Sequence, residues 1–243
     1  MRLDKLLADS GYGTRSEVRK VIVRGNVTVG GVVVRDPGFK ISEKDEVTCF
    51  GDRVTVLSGK TYYYLLLDKP DGVLTAMEDS RLPHVGEFID SRFKNRGVSP
   101  VGRLDYHTTG LLILTNDGEL SHRLTSPNYD IPKTYLVTWA GDPLTDKEIA
   151  RAEEGITLTD TDTPVHLKPC RISPCGENSA KIILTEGKTH EVRRIMAHFG
   201  KEVIDLRRLG IASLFLSEDS APGTLRELTS DEISILRSAV RLE

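Results

Sequence analysis

The chain has 243 residues and a formal net charge of −3, and hydrophobic residues make up 38% of it, a content typical of a folded globular protein. It contains no run of eighteen apolar residues and its N-terminus lacks the apolar core of a secretion signal, so we expect neither membrane attachment nor secretion. Three cysteines argue against a disulfide framework and for a reducing compartment, which predicts a cytoplasmic protein.

Positive charge is concentrated in the N-terminal quarter of the chain. Residues 1–60 hold eleven Lys or Arg against eight Asp or Glu, a local charge of +3, and the rest of the chain carries −6. A local basic excess is typical of a surface that contacts phosphate groups, even where the whole chain is acidic.

Two helices are predicted at the start of the chain. Leucines repeat at helical spacing from Leu3, and Gly11 ends this first helix. Thr14 and Glu17 form the capping-box pattern of a second helix. Its inward stripe consists of Val18, Val21 and Ile22. The alternative is an ordinary solvated charged helix.

A β-hairpin and two further strands follow. Residues 27–29 and 32–34 are valine-rich and flank Gly30–Gly31, a two-residue turn signal. Further short strands are predicted at 46–50 and 54–57, before a linker at 57–61.

The remainder of the chain is predicted to be an α+β domain. Predicted strands are 62–68, 111–115, 134–139 and 181–185, and predicted helices are 143–155, 190–200 and 230–240. Because strands outnumber helices and do not alternate with them, we expect a largely antiparallel sheet flanked by helices. We therefore predict two domains, 1–58 and 59–243.

The most informative stretch is the loop that contains Arg103 and Asp105. Gly102 opens it, and a Thr-Thr-Gly turn separates it from the buried strand at 111–115. A carboxylate on a loop directly before a rigid strand is well placed for chemistry. The alternative is that Asp105 caps a turn and Arg103 is its surface partner.

Tyr135 and Arg193 are two further candidates. Tyr135 is the aromatic residue of an otherwise aliphatic and polar strand, and it either belongs to the core or offers a face on which a base stacks. Arg193 lies at the edge of a helical apolar stripe, and Arg194 points away from that stripe toward solvent. An arginine that enters a cleft needs an anionic partner, which Asp105 could supply. The alternative is a solvated pair of arginines.

The N-terminal segment resembles the S4-like RNA-binding domain over residues 1–56. The resemblance is carried by Arg2–Lys5, Thr14–Glu17 and Arg24–Val29. It implies RNA binding but no particular RNA. The basic residues expected to contact RNA are Arg2, Lys5, Arg15, Arg19, Lys20 and Arg24.

Essentially the whole chain resembles the pseudouridine synthases of the RsuA type. The matching motifs are Lys69–Val73, Gly102–Asp105 with Thr108–Leu111, His122–Pro127, Lys133–Tyr135, Glu186–His190 and Ala221–Gly223. The resemblance implies that Asp105 is the catalytic aspartate, that Tyr135 stacks near the target base, and that Arg193 pairs with Asp105. It also implies that Leu206 and Arg103 line the base pocket. The chain departs from the family pattern at His107, Glu191, Ile195 and Gly210–Ala212.

The implied reaction is the isomerisation of a uridine to pseudouridine. It needs no redox step, and the sequence contains no dinucleotide fingerprint, P-loop or metal-ligand cluster, so we expect no cofactor and no metal. Asp105 would act as a nucleophile or as a base, kept ionised by Arg193. Phosphate contacts are expected from Lys188, Arg194, Arg207 and Arg208.

The expected partner is ribosomal RNA in a pre-ribosomal small subunit, bound by a monomer. Thr125–Pro127 and Lys133–Tyr135 favour the 16S rRNA over the 23S rRNA as the substrate. A non-catalytic RNA-binding factor of ribosome assembly is the alternative from another class. A glycosidase is less favoured because that reaction usually needs two carboxylates, and only Asp105 has a suggestive setting.

Overall fold

The computed structural model describes residues 1–13, 15–42, 44–54, 61–160 and 163–242. It contains two compact units, which are Met1–Tyr63 with Ile89–Ser99, and Tyr64–Phe88 with Pro100–Glu243. The predicted domain boundary and most of the predicted linker fall at 55–60, outside the described residues, so the boundary stays a prediction. Among the described residues, no helix is long and apolar enough to span a bilayer.

In the first unit, the first two helices pack against a small sheet. Its elements are α1 Leu3–Asp9, α2 Arg15–Val23, β1 Val27–Val29, β2 Val32–Val33, β3 Val47–Cys49, β4 Asp52–Val54 and α3 Ser91–Lys94. The strands form an antiparallel sheet in the order β2-β1-β3-β4. Gly30 and Gly31 both have positive φ (+58° and +78°), as a primed hairpin turn requires. The predicted cap at Thr14 lies outside the described residues.

The second unit is built on a large mixed sheet. Its elements are β5 Tyr64–Lys69, a 3₁₀ turn at Val85–Phe88, β6 Ser99–Pro100 at the boundary, β7 Thr109–Thr115, α4 Gly118–Thr125, β8 Lys133–Ala140, α5 Asp146–Glu154, β9 Thr157–Leu158, β10 Val165–His166, β11 Arg171–Gly176, β12 Ser179–Leu184, α6 Glu191–His198, β13 Glu202–Ile211, β14 Leu214–Phe215, β15 Leu225–Glu227 and α7 Ser230–Ala239. The main strand order is β11-β12-β8-β13-β7-β5-β15. β7 and β13 are parallel and the other neighbours in this order are antiparallel, which confirms the predicted α+β fold.

Two buried clusters hold the sheet to its helices. One surrounds Trp139 on β8 and includes apolar residues of α5, α6, β12 and β13. The other joins β5 and β7 to α4 and α7. The helix α4 was not predicted from the sequence. The Asp117 side chain caps this helix by accepting a hydrogen bond from the Leu120 N–H at 3.1 Å.

Gly110 allows β7 and β13 to approach each other closely. Its φ is +100°, and a Cβ atom at this position would lie 2.2 Å from the carbonyl oxygen of Arg208. A side chain is therefore excluded both by the backbone conformation and by the neighbouring strand. This approach brings the loop before β7, which carries Asp105, next to the strand that carries Leu206.

Candidate active site

Asp105 lies in the loop between β6 and β7, at the wall of a cleft of about 370 Å³. Its side chain is 37% exposed, so the carboxylate is accessible to a ligand in the cleft. Tyr135, Leu206 and Arg103 line the same cleft. Tyr135 is half-buried, Leu206 is buried and Arg103 is exposed. The fold thus brings together four predicted pocket residues that are separated by up to a hundred positions in the sequence.

The buried side chain of Lys69 holds the loop that carries Asp105 in place. The Lys69 ammonium group donates hydrogen bonds to the carbonyl oxygens of Pro70, Tyr106 and Thr108 at 3.0, 3.1 and 2.9 Å. Burial lowers the pKa of Lys69 to about 8. Two of the three acceptors lie within three residues of Asp105, so Lys69 constrains the position of this carboxylate.

His190 is a site residue for which sequence reasoning gave no role. Its Nε2 lies 3.5 Å from Oδ1 of Asp105, and its backbone is in the left-handed region with φ +51°. This conformation is uncommon for a residue other than glycine. The Glu186–His190 motif was recognised, but nothing in its spacing indicates which of its side chains faces the carboxylate.

Arg193 does not form the predicted ion pair with Asp105. Its Nη2 donates to the carbonyl oxygen of His107 at 3.1 Å, and its Nη1 donates to that of Val203 at 3.3 Å. Two backbone carbonyl oxygens therefore supply the hydrogen-bond acceptors of the Arg193 guanidinium group. Arg193 does line a second cleft of about 600 Å³ together with Asp105 and His190.

Glu191 lines the cleft, and its carboxyl group interacts with that of Glu186. Glu191 is 5% exposed, and its Oε2 accepts the N–H of Lys188 at 2.8 Å. Burial and the neighbouring Glu186 carboxylate raise the pKa of Glu191 to about 7. Burial would also raise the pKa of Glu186, but the Lys168 N–H and the Lys188 ammonium group hold it below its usual value. At pH values between the two pKa values, the proton of the pair is therefore held by Glu191.

The basic rim predicted around the cleft is only partly present. Arg194 is bound by both oxygens of Asp160 at 2.8 and 2.6 Å, instead of pointing freely to solvent. Arg208 is 3% exposed, and its Nε donates to the carbonyl oxygen of Leu111 at 2.7 Å. Each of these two guanidinium groups thus meets an acceptor on an element that is distant in sequence.

Two further predicted phosphate contacts are also engaged within the protein. Arg207 pairs with the fully buried carboxylate of Asp68 at 2.6 Å. The ammonium group of Lys188 contacts Glu186 at 3.1 Å and donates to the carbonyl oxygen of His166. Contacts of Arg207 and Lys188 with RNA would therefore have to replace contacts that these side chains already make within the protein.

The predicted RNA-binding side chains of the first unit are all exposed. Arg2 and Arg19 bind the fully buried carboxylate of Asp4 at 3.1 and 3.3 Å. The hydrogen bond from Arg2 lowers the pKa of Asp4, and Arg19 and the nearby Arg15 act in the same direction. Three arginines thus lie near one buried carboxylate, so this patch keeps a net positive charge. The other exposed members of the set are Lys5, Lys20 and Arg24.

Among the residues that the structure describes, no cluster of three or more His, Cys, Asp or Glu side chains is arranged to hold a metal ion. The predictions that the protein uses neither metal nor cofactor are not tested by this observation.

Comparisons with known proteins relate both units to RNA modification. Residues 63–198 match the family model of the RNA pseudouridylate synthases, and residues 1–47 match that of the S4 domain. The chain is 37% identical to an uncharacterized RNA pseudouridine synthase of Bacillus subtilis, covering 97% of this chain and 98% of that protein. It is also 37% identical to the ribosomal small subunit pseudouridine synthase A of Pasteurella multocida, covering 96% and 98%.

A solved structure supports the same relationship. A crystal structure of a pseudouridylate synthase aligns with a TM-score of 0.67 at 35% identity, covering 97% of this chain and 99% of that chain. Similarity at this level extends over both units.

Proposed function

The chain belongs to the RNA pseudouridylate synthase family, and we propose that it isomerises a uridine of small-subunit (16S) ribosomal RNA to pseudouridine, with Asp105 as the catalytic residue. The relatives named for the small ribosomal subunit support the choice of RNA. The observation that carries the proposal is the accessible carboxylate of Asp105 in one cleft with Tyr135 and Leu206.

The reaction breaks the glycosidic bond, turns the uracil and rejoins it to the ribose through carbon. Asp105 acts by attacking the anomeric carbon as a nucleophile or by abstracting a neighbouring sugar proton as a base. Both routes use the charged carboxylate. The hydrogen bonds from Lys69 to the surrounding loop keep that carboxylate in position against the ribose.

The target base has to leave the RNA stack before it can reach Asp105. A flipped uracil fits the cleft with its face on the ring of Tyr135 and its edge against Leu206. Arg103 is exposed at the same cleft and is available to the RNA backbone. Arg193 acts as a positioning residue, since its bond to the His107 carbonyl ties the Asp105 loop to α6.

The first unit supplies affinity for folded RNA. Its exposed arginines and lysines contact phosphates, which fixes the register of the RNA without reading its sequence. We propose that the substrate is a pre-ribosomal small subunit and that the protein acts as a monomer in the cytoplasm.

Mapping pseudouridine in ribosomal RNA tests this function. RNA from a strain that lacks the gene is compared with RNA from the same strain complemented by the wild-type gene or by Asp105→Asn. We expect one pseudouridine of 16S rRNA to be lost in the deletion strain and restored only by the wild-type gene.

Two other outcomes would contradict the proposal. Loss of a 23S pseudouridine instead would keep the chemistry and change the substrate. Unchanged pseudouridine with altered ribosome maturation would identify a non-catalytic assembly factor.

A further inference from the structure

We propose that Lys133 and Arg208 form a buried anion subsite beside the base pocket, which receives a phosphate group of the RNA backbone next to the target uridine. The subsite lies on the same face of the sheet as Tyr135 and adjoins the cleft that holds the base. This proposal rests on the proposed function only for the assignment of the bound phosphate group to RNA.

Strand register places both cations on the side of the sheet that carries Tyr135. Lys133 and Tyr135 are two positions apart on β8, so their side chains leave the same face. Arg208 on β13 is the direct cross-strand partner of Tyr135. Residues paired in this way project to the same face of the sheet.

A small cavity of about 100 Å³ lies between these side chains. Lys133, Arg208, Tyr135 and Arg103 line it, and the last two also line the larger cleft, so the two spaces adjoin.

The two cations have hydrogen-bonding capacity that the protein does not use. Nη2 of Arg208 is buried and has no hydrogen-bond partner among the described residues. Within the described part of the chain, the Lys133 ammonium group donates to the carbonyl oxygens of Ile131 and Glu186 alone, at 3.3 and 3.4 Å. A buried donor without a partner costs about 1–3 kcal/mol, more when it is charged, so a native protein rarely retains one without a use.

Charge points to an anion as the missing partner. Burial and the neighbouring positive charge of Arg208 both lower the pKa of Lys133. Glu191 acts in the opposite direction on Lys133, but the pKa of Glu191 is itself raised to about 7, so this carboxyl is largely uncharged well below pH 7. A phosphate would satisfy both cations at once through charge-assisted hydrogen bonds.

Inorganic phosphate is the probe of the subsite. Its binding to the full chain is measured by titration calorimetry, with chloride replacing phosphate at constant ionic strength. The variants are Lys133→Met and Arg208→Lys, the second of which keeps a donor for the Leu111 carbonyl. Lys181→Met removes a lysine that is exposed on β12 and serves as the matched control. Circular dichroism establishes that each variant is folded.

We expect Lys133→Met and Arg208→Lys to weaken phosphate binding by about tenfold or more, the effect of losing one charged hydrogen bond, and Lys181→Met to leave it unchanged. No phosphate binding by the wild type, or equal binding by all variants, would overturn the subsite. Because these measurements involve no RNA, they stand whether or not the protein isomerises uridine.

A competition experiment separates RNA phosphate from free phosphate as the natural occupant. Asp105→Asn protein is bound to a 16S rRNA transcript, and inorganic phosphate is added at constant ionic strength. Phosphate that displaces RNA from the Asp105→Asn protein, but not from the same protein carrying Lys133→Met, supports the subsite as an RNA contact. Phosphate binding without any competition would overturn that assignment.

Discussion

The imidazole Nε2 of His190 lies 3.5 Å from Oδ1 of Asp105, closer to this carboxylate than the arginine that the sequence offered as its partner. The relationship places a group able to exchange protons beside the carboxylate of the cleft. The backbone of His190 is in the left-handed region, directly before the start of α6.

Replacing Asp105 by asparagine is expected to abolish isomerisation and to leave RNA binding nearly intact. The amide keeps the shape of the side chain but is neither a nucleophile nor a base. Tritium release from labelled uridine in RNA measures the reaction. Asp142→Asn, which alters an exposed carboxylate after β8, is the matched control and should retain full activity. Full activity of the Asp105 variant would remove this residue from the mechanism.

Replacing His190 by asparagine is expected to lower kcat by about tenfold or more with little change in KM. Asparagine tolerates the left-handed backbone, so the variant removes the imidazole without forcing the loop to move. The pH dependence of kcat should change as well, because an imidazole able to act as a general acid or base is lost. If the rate and the pH profile both match the wild type, the imidazole has no part in the reaction.

Replacing Lys69 by methionine is expected to reduce both stability and kcat. Three carbonyl oxygens would lose their donor, which costs about 2–4 kcal/mol if the loop cannot rearrange. Thermal unfolding and single-turnover rates measure the two effects. A variant that is destabilised yet keeps the wild-type rate below its Tm would show that Lys69 supports the fold without positioning Asp105.

Replacing Glu191 by glutamine is expected to stabilise the protein above neutral pH. The pKa of Glu191 is about 7 in the folded state and 4.5 ordinarily, so the folded state binds more protons between these values. The free energy of unfolding contributed by this group is therefore greatest below pH 4.5 and is lost as the pH rises through 7.

Thermal unfolding at two pH values measures this effect. The Tm of Glu191→Gln should lie about 5 °C or more above that of the wild type at pH 8 and close to it at pH 5. Glu177→Gln, at an exposed position, should show no such difference. Equal gains at both pH values would point to packing rather than to the carboxyl proton.

Replacing Arg15 or Arg19 by alanine is expected to weaken RNA binding and to flatten its dependence on salt. Each lost phosphate contact should reduce the slope of log affinity against log salt concentration by about 1. Filter binding at several salt concentrations gives the slope. Arg171→Ala, which removes an exposed arginine of β11, is the control. An unchanged slope would exclude α2 as an RNA contact.

The local patterns of the sequence predicted most of the elements correctly. Helical leucine spacing predicted α1, the double glycine predicted the hairpin of β1 and β2, and the aliphatic run before Asn116 predicted β7. These signals are local, because periodicity and turn chemistry depend on neighbouring residues. The ten-residue strand β13 was missed because Asp205, Arg207 and Arg208 interrupt any apolar alternation.

Motif and resemblance identified Asp105, Tyr135 and Leu206, and tertiary structure brought them to one cleft. Only the fold decided what each cation contacts. Arg193 meets backbone carbonyls, Arg194 meets Asp160, and Arg208 is buried with its Nη2 lacking an acceptor among the described residues. A residue type fixes how many hydrogen bonds a side chain can make, but its partners come from strands and loops that are distant in sequence. Their identity therefore depends on the register of the sheet, which local sequence does not encode.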